Sequence, residues 1–131
     1  MSDEPRGEIT LQTVPLPADS NANGDIFGGW LMSQMDLGAS VLARRRARGR
    51  VATVAVDAMQ FRKPVKIGDV VAIHAEMQRE GRSSMRIGVE VWVTRVPEDR
   101  VIKVTEAVFT FVAIDDEGRS RPLPTHPAGA R

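Results

Sequence analysis

Residues 21–46, NANGDIFGGWLMSQMDLGASVLARRR, decide how the rest of the chain is read. A Gly-rich approach runs into a long helical pattern in which Leu31, Met35, Ala39 and Leu42 recur at three- and four-residue spacing on one face. Trp30, Leu37 and Val41 fall on roughly the opposite side, so the helix is apolar nearly all round. Such a helix has to be wrapped by a sheet, a partner subunit or both. Between Gly28 and Ala43 the only charged side chain is Asp36, at the margin between Met32, Ala39 and Ala43 and the hydroxyls of Ser33 and Ser40. Burial there favours the neutral acid unless donors stabilise the carboxylate. A lone carboxylate on an otherwise uncharged helix demands a chemical explanation.

On either side of this stretch the pattern is that of strands. Residues 8–14 alternate Ile9, Leu11 and Thr13 against Glu8, Thr10 and Gln12, and Pro15 and Pro17 break the strand. Arg44, Arg45, Arg46 and Arg48 crowd the last helical turn, with Gly49 as the expected stop. Attraction to the negative helix end accounts for those arginines; a ligand phosphate is the alternative. Residues 51–61 are rich in β-branched side chains, and Arg62, Lys63, Pro64 and the Gly68-Asp69 pair mark a turn. Strands follow over 70–79, over the alternating Met85, Ile87, Val89, Val91 and Val93, and over 101–114. The tail from residue 119 carries Pro122, Pro124 and Pro127 and is expected to be extended or disordered. Consecutive strands prefer to be antiparallel neighbours, which predicts a sheet curled around one helix. One helix covers only one sheet face, and its own apolar circumference points to self-association.

Composition bounds the rest. The chain has 131 residues, enough for one domain with a real core. Its 18 Lys+Arg against 17 Asp+Glu give no global argument for nucleic acid. No apolar run approaches the roughly 20 residues of a membrane span, and MSDEPRGE lacks a signal-peptide core. A soluble cytosolic protein is expected, without membrane or nucleic-acid partner. The absence of cysteine removes disulfides, thiol nucleophiles and thiolate metal sites. His74 and His126, lacking ligand-like spacing, give no basis for a metal centre.

The run NANGDIFGGWLMSQMD, then GRVATVAVDAMQF with RKPVKIGDVV, GRSSM with VEVWV, and TEAVFTFVAIDDEGRSRPLP together resemble the YciA-type acyl-CoA thioesterases of the hotdog fold. The likeness runs from about Leu11 to Pro124. It implies an α+β architecture, an antiparallel sheet of five or more strands wrapped around one long central helix, with residues 8–124 as a single hotdog domain between flexible ends at 1–7 and 125–131. It also implies hydrolysis of acyl-CoA to free acid and CoA, with CoA as a substrate moiety and no cofactor. A dimer is the expected unit, three dimers make a hexamer, and the sites are shared between subunits.

The resemblance makes Asp36 the catalytic carboxylate, as general base for water or as nucleophile through a mixed anhydride. A buried helix Asp bonded to neighbouring hydroxyls is the plain structural account. The amides at Gly28 and Gly29 suit an oxyanion, since a helix start offers free N–H groups and a favourable dipole; tight packing against a strand is the alternative. Asn21 or Asn23 could assist the acid, and turn or capping duty suits either equally. Asp25 is read as a helix-end anion or cap. For CoA, Arg62, Lys63, Arg82, Ser83 and Ser84 are phosphate candidates, with the Gly81-Arg82-Ser83-Ser84 segment preferred from the resemblance. Thr53, Val54 and Asp57 are expected to line the site from the strand beside the helix.

Three other readings compete with this one. Hotdog hydroxyacyl dehydratases use a His, often just before the glycines, where this chain has Phe27. An acyl-CoA-binding module would keep the pocket and lose the acid. A DNA-binding regulator would need an added recognition helix, for which no segment is spare.

Overall fold

The computed structural model describes residues 4–126. Helix α1 spans Gly28–Ala47, and the face bearing Leu31, Met35, Ala39, Ala43 and Ala47 is buried, as the spacing predicts. Small residues dominate that face, so the helix lies close on the sheet. A Cβ placed on Gly38 would sit 2.6 Å from Cγ2 of Ile73. The helix ends one residue before the expected stop: Arg48 takes the left-handed conformation at φ 53°, and its N–H bonds to the Arg44 carbonyl. Gly49 serves another purpose, because a Cβ there would lie 2.9 Å from a guanidinium nitrogen of Arg121.

The strands are β1 (Glu8–Thr13), β2 (Val51–Phe61), β3 (Val70–Glu80), β4 (Ser84–Arg95) and β5 (Arg100–Ala113), with a short 3-10 turn at Pro17–Asp19. They form one antiparallel sheet in the order β1-β3-β4-β5-β2. One helix on a five-stranded antiparallel sheet is the expected hotdog arrangement. Adjacency of consecutive strands holds for β3-β4 and β4-β5 and fails for β2-β3. The chain between β2 and β3 is too long for a tight hairpin, and Val65 anchors it by accepting the Ile26 N–H at 2.9 Å. β2 therefore pairs only with β5 and forms an open edge.

Alternation along the strands separates two sheet faces. Ile73, Val91, Val89, Ala107 and Phe109 face the helix, together with Phe111, whose ring stacks near Phe109 with centroids 6.4 Å apart. Each such buried side chain contributes about 1.5–3 kcal/mol. The other face carries His74, Glu76, Glu90, Glu106 and Asp57.

Both ends of the domain are tied down where described. Arg6 donates its N–H to Glu90 at 3.1 Å, and His74 Nδ1 lies 3.2 Å from the Gly7 carbonyl. Residues 1–3 and 127–131 of the expected flexible ends lie outside the described residues. The segment from Arg119 is extended but not loose: Arg121 and Leu123 donate their N–H groups to the Ala113 and Arg82 carbonyls at 2.9 and 2.8 Å.

Candidate active site

Asp36 lies on the flank of α1 that faces β2, half-buried, and the Thr53 hydroxyl donates to its Oδ1 at 2.7 Å. The second carboxylate oxygen has no protein partner among the described residues. Of the three residues expected to line the site from β2, Thr53 touches the acid. Val54 sits beside it at a register shift, 57 % exposed on the open edge. Asp57 is not brought to the site: it pairs opposite Val108 on the sheet face away from the helix, 3.4 Å from Arg86.

The start of α1 is uncapped. Phe27 occupies the cap position and makes no side-chain cap bond, and the first helical bond runs from the Leu31 N–H to the Phe27 carbonyl at 3.3 Å. The N–H groups of Gly28, Gly29 and Trp30 find no acceptor among the described residues. Nothing lies within 4 Å of a Cβ placed on Gly29, so packing does not require a glycine there. Asp25 is not a cap, since its carboxylate pairs with Lys66.

The structure separates the two loop asparagines. Asn21 Oδ1 accepts the N–H groups of Asn23 at 2.8 Å and Asp25 at 3.1 Å. With its oxygen fixed in the turn, the Asn21 amide nitrogen has no acceptor among the described residues. Asn21 and Gly28 line one cavity of about 320 Å³ with Phe61, Arg62, Lys63 and Pro64. The Asn23 side chain is exposed and makes no hydrogen bond among the described residues.

The basic candidates divide in the same way. Arg62 is held by Glu106, whereas Lys63 and Arg82 have no ion-pair partner among the described residues. Lys103 first, then Arg62, holds the Glu106 carboxyl below the usual carboxylate range. The Gly81–Ser84 turn sits just past the row formed by Thr53, Phe111 and Met85. Two strand spacings put it roughly 10 Å across the sheet from Thr53. At the helix end Arg45 pairs with Glu8 and Arg46 with Glu80, so these two guanidiniums are engaged with carboxylates of β1 and β3. Arg121 was expected in a loose tail and instead donates to the Ile114 carbonyl at 2.9 Å. Trp92 is buried and donates to Glu90 at 2.8 Å, which makes it a packing residue.

A helix bearing one tethered carboxylate, an uncapped amide start and a hotdog sheet define a class. The chain belongs to the thioesterase superfamily, whose family model matches residues 23–97. Within it, the chain is a member of the YciA-type acyl-CoA thioester hydrolases. It is 51% identical over 127 residues to acyl-CoA thioester hydrolase YciA of Salmonella typhimurium, covering 95% of this chain and 96% of that one. A hexameric broad-specificity acyl-coenzyme A thioesterase, solved with one aspartate replaced by alanine, superposes with a TM-score of 0.89 at 53% identity over 91% of this chain and 88% of that one. An acyl-CoA hydrolase from Staphylococcus aureus, solved with butyryl coenzyme A and coenzyme A, matches at TM-score 0.80 and 32% identity over 87% of this chain and 70% of that one. Alanine variants of that enzyme have been solved at an asparagine and a threonine 32 positions apart, the separation of Asn21 and Thr53 here.

Proposed function

We propose that this chain is a cytosolic, homo-oligomeric acyl-CoA thioesterase in which Asp36 drives hydrolysis of the thioester to free acid and CoA. The observation that carries the reading is the Asp36 carboxylate, fixed through one oxygen by Thr53 and open at the other. As general base, the free oxygen takes a proton from water as the water oxygen bonds to the thioester carbon. The carbonyl becomes an oxyanion, which then collapses with loss of the C–S bond, and the proton passes to the departing sulfur. As nucleophile, the same oxygen attacks the carbon directly, the C–S bond breaks and CoA leaves as its thiolate. Water then opens the anhydride to two carboxylates, one of its protons going to the thiolate and the other to solvent. Either route uses a carboxylate, water and amide donors, and both fit this geometry.

The oxyanion needs donors about 2.7–3.1 Å from its final position. Gly28 and Gly29 precede Asp36 by eight and seven residues on one helix, which at 1.5 Å per residue separates them by about 10–12 Å. A single thioester cannot reach both in one protomer. The amides and the Asn21 donor therefore serve the Asp36 of a second copy, and the site is completed between subunits. The open edge of β2 supports this, with Val54 and Val56 exposed beside an unpaired backbone. A dimer is then the catalytic unit, and three such dimers make a hexamer, the state in which the broad-specificity relative is described. For the nucleotide end of CoA, Lys63 and Arg82, without an ion-pair partner among the described residues, and the hydroxyls of Ser83 and Ser84 are the phosphate donors.

The test is thiol release from a panel of acyl-CoA esters by the purified chain, with CoA binding measured alongside. Turnover with stoichiometric free CoA is expected. Tight CoA binding without turnover would make the chain an acyl-CoA-binding module instead.

A further inference from the structure

The Gly81–Ser84 turn is fastened on one side only. Gly81 N–H bonds to the Ser84 carbonyl at 2.8 Å, the Arg82 carbonyl accepts from Leu123 at 2.8 Å, and the Ser83 carbonyl accepts from Ala113 at 2.9 Å. The carbonyls of Arg82, Ser83 and Ser84 are thus engaged with the protein. The N–H groups of Arg82 and Ser83, both serine hydroxyls and the exposed Arg82 guanidinium have no partner among the described residues. A turn that ties up three of its four carbonyls and presents a cluster of donors is suited to a phosphate.

Both flanks of this turn lead to one side chain. Arg46, 15% exposed near the end of α1, donates Nε and Nη2 to the two Glu80 oxygens at 2.8 and 2.9 Å. Its Nη1 donates to the Pro124 carbonyl at 2.8 Å. Glu80 immediately precedes the turn, and Pro124 follows Leu123, whose N–H holds the Arg82 carbonyl. One planar guanidinium therefore clamps the incoming strand and the returning C-terminal segment to the helix end, a geometry that an ammonium cannot reproduce.

We propose that Arg46 is a positioning residue for substrate binding, which holds the Gly81–Ser84 turn, through Glu80 and the 121–124 segment, in the shape that receives a CoA phosphate. The claim rests on reading that turn as the phosphate subsite. Without the clamp, the turn must be ordered by the incoming substrate, so the loss falls on binding of the phosphate-bearing end and not on the chemical step.

The experiment compares an acyl-CoA with the phosphate-free acyl-pantetheine ester of the same acid in wild type, Arg46→Met, Arg46→Lys and Arg82→Ala. For Arg46→Met the KM for acyl-CoA should rise about five- to tenfold, with kcat within about twofold and the acyl-pantetheine parameters unchanged. Arg46→Lys should fall in between. An unchanged acyl-CoA KM, or equal losses on both esters, would overturn the positioning role. If Arg82→Ala raises the acyl-CoA KM selectively while Arg46→Met does not, the positioning claim alone fails. If Arg82→Ala also leaves it unchanged, the phosphate reading of the turn fails with it. Should Arg46→Met not fold, Glu80→Gln, which weakens the same clamp, decides the matter by the same ratio of KM values.

Discussion

Thr53 on the open edge strand donates its only hydroxyl hydrogen to Oδ1 of Asp36 on the helix, at 2.7 Å. The bond crosses the seam between α1 and β2 and fixes which carboxylate oxygen is left for chemistry. Hydrogen bonds to charged groups contribute about 1.5–3 kcal/mol. Thr53→Val keeps the shape and removes the donor, so kcat for acyl-CoA should fall about tenfold to a hundredfold. Thr53→Ser should stay within a few-fold of wild type. Full turnover by the valine variant would show that Thr53 does not orient the acid.

Asn21 and Asn23 differ in what their side chains are already doing. The Asn21 oxygen is committed to two backbone N–H groups, which aims its amide nitrogen as a donor, while Asn23 contributes only its own N–H. Asn21→Ala should lower kcat/KM at least about tenfold, whereas Asn23→Ala should change it less than about twofold. Equal losses would mean that loop order, not a specific donor, matters.

These residues show where sequence reading stops. The helix and β3 to β5 were legible because each buries one face, and one-sided burial leaves a period of 3.6 or 2 in the residues themselves. The edge position of β2 was not, because its partner β5 is distant in sequence and nothing in 51–61 names that partner. The likeness points to Thr53 and Asp36 and equally to Asp57, which lies four residues past Thr53 on the opposite face of the sheet. Asn21 and Asn23 are chemically identical until the turn engages one oxygen. The C-terminal segment reads as either extended or disordered, because the backbone N–H groups of Arg121 and Leu123 and the Arg46 side chain that hold it extended leave no apolar pattern.

Gly38 tests the closeness of helix and sheet. Alanine is favoured over glycine in a helix by about 1 kcal/mol. Here the added Cβ would meet Cγ2 of Ile73 at 2.6 Å and the Thr10 hydroxyl at 2.9 Å. Ile73 is β-branched and fully buried, so it has little freedom to yield. Overpacking of about 1–3 kcal/mol should win, and Gly38→Ala should lower the denaturation midpoint. A raised midpoint would mean that the helix can shift at little cost.

Glu80 and Glu106 set an acid dependence of stability. A side-chain hydrogen bond from Arg46 lowers the first below its ordinary 4.5, and one from Lys103, then Arg62, lowers the second. Because both folded values are depressed, their stabilisation is fully present above the ordinary carboxylate value and disappears as pH falls through the folded values. At fixed protein concentration, the Tm difference between wild type and Glu80→Gln/Glu106→Gln should be constant from pH 7 to about 5 and shrink below about 4. A difference independent of pH down to about 2 would contradict the ionic origin.

The most direct test of the account is Asp36→Ala, assayed for acyl-CoA turnover beside its CoA affinity and Tm. The chemistry assigned to that carboxylate predicts a kcat at least about 100-fold lower, with CoA affinity and Tm close to wild type. Turnover retained within a few-fold of wild type would contradict it and remove Asp36 from the mechanism.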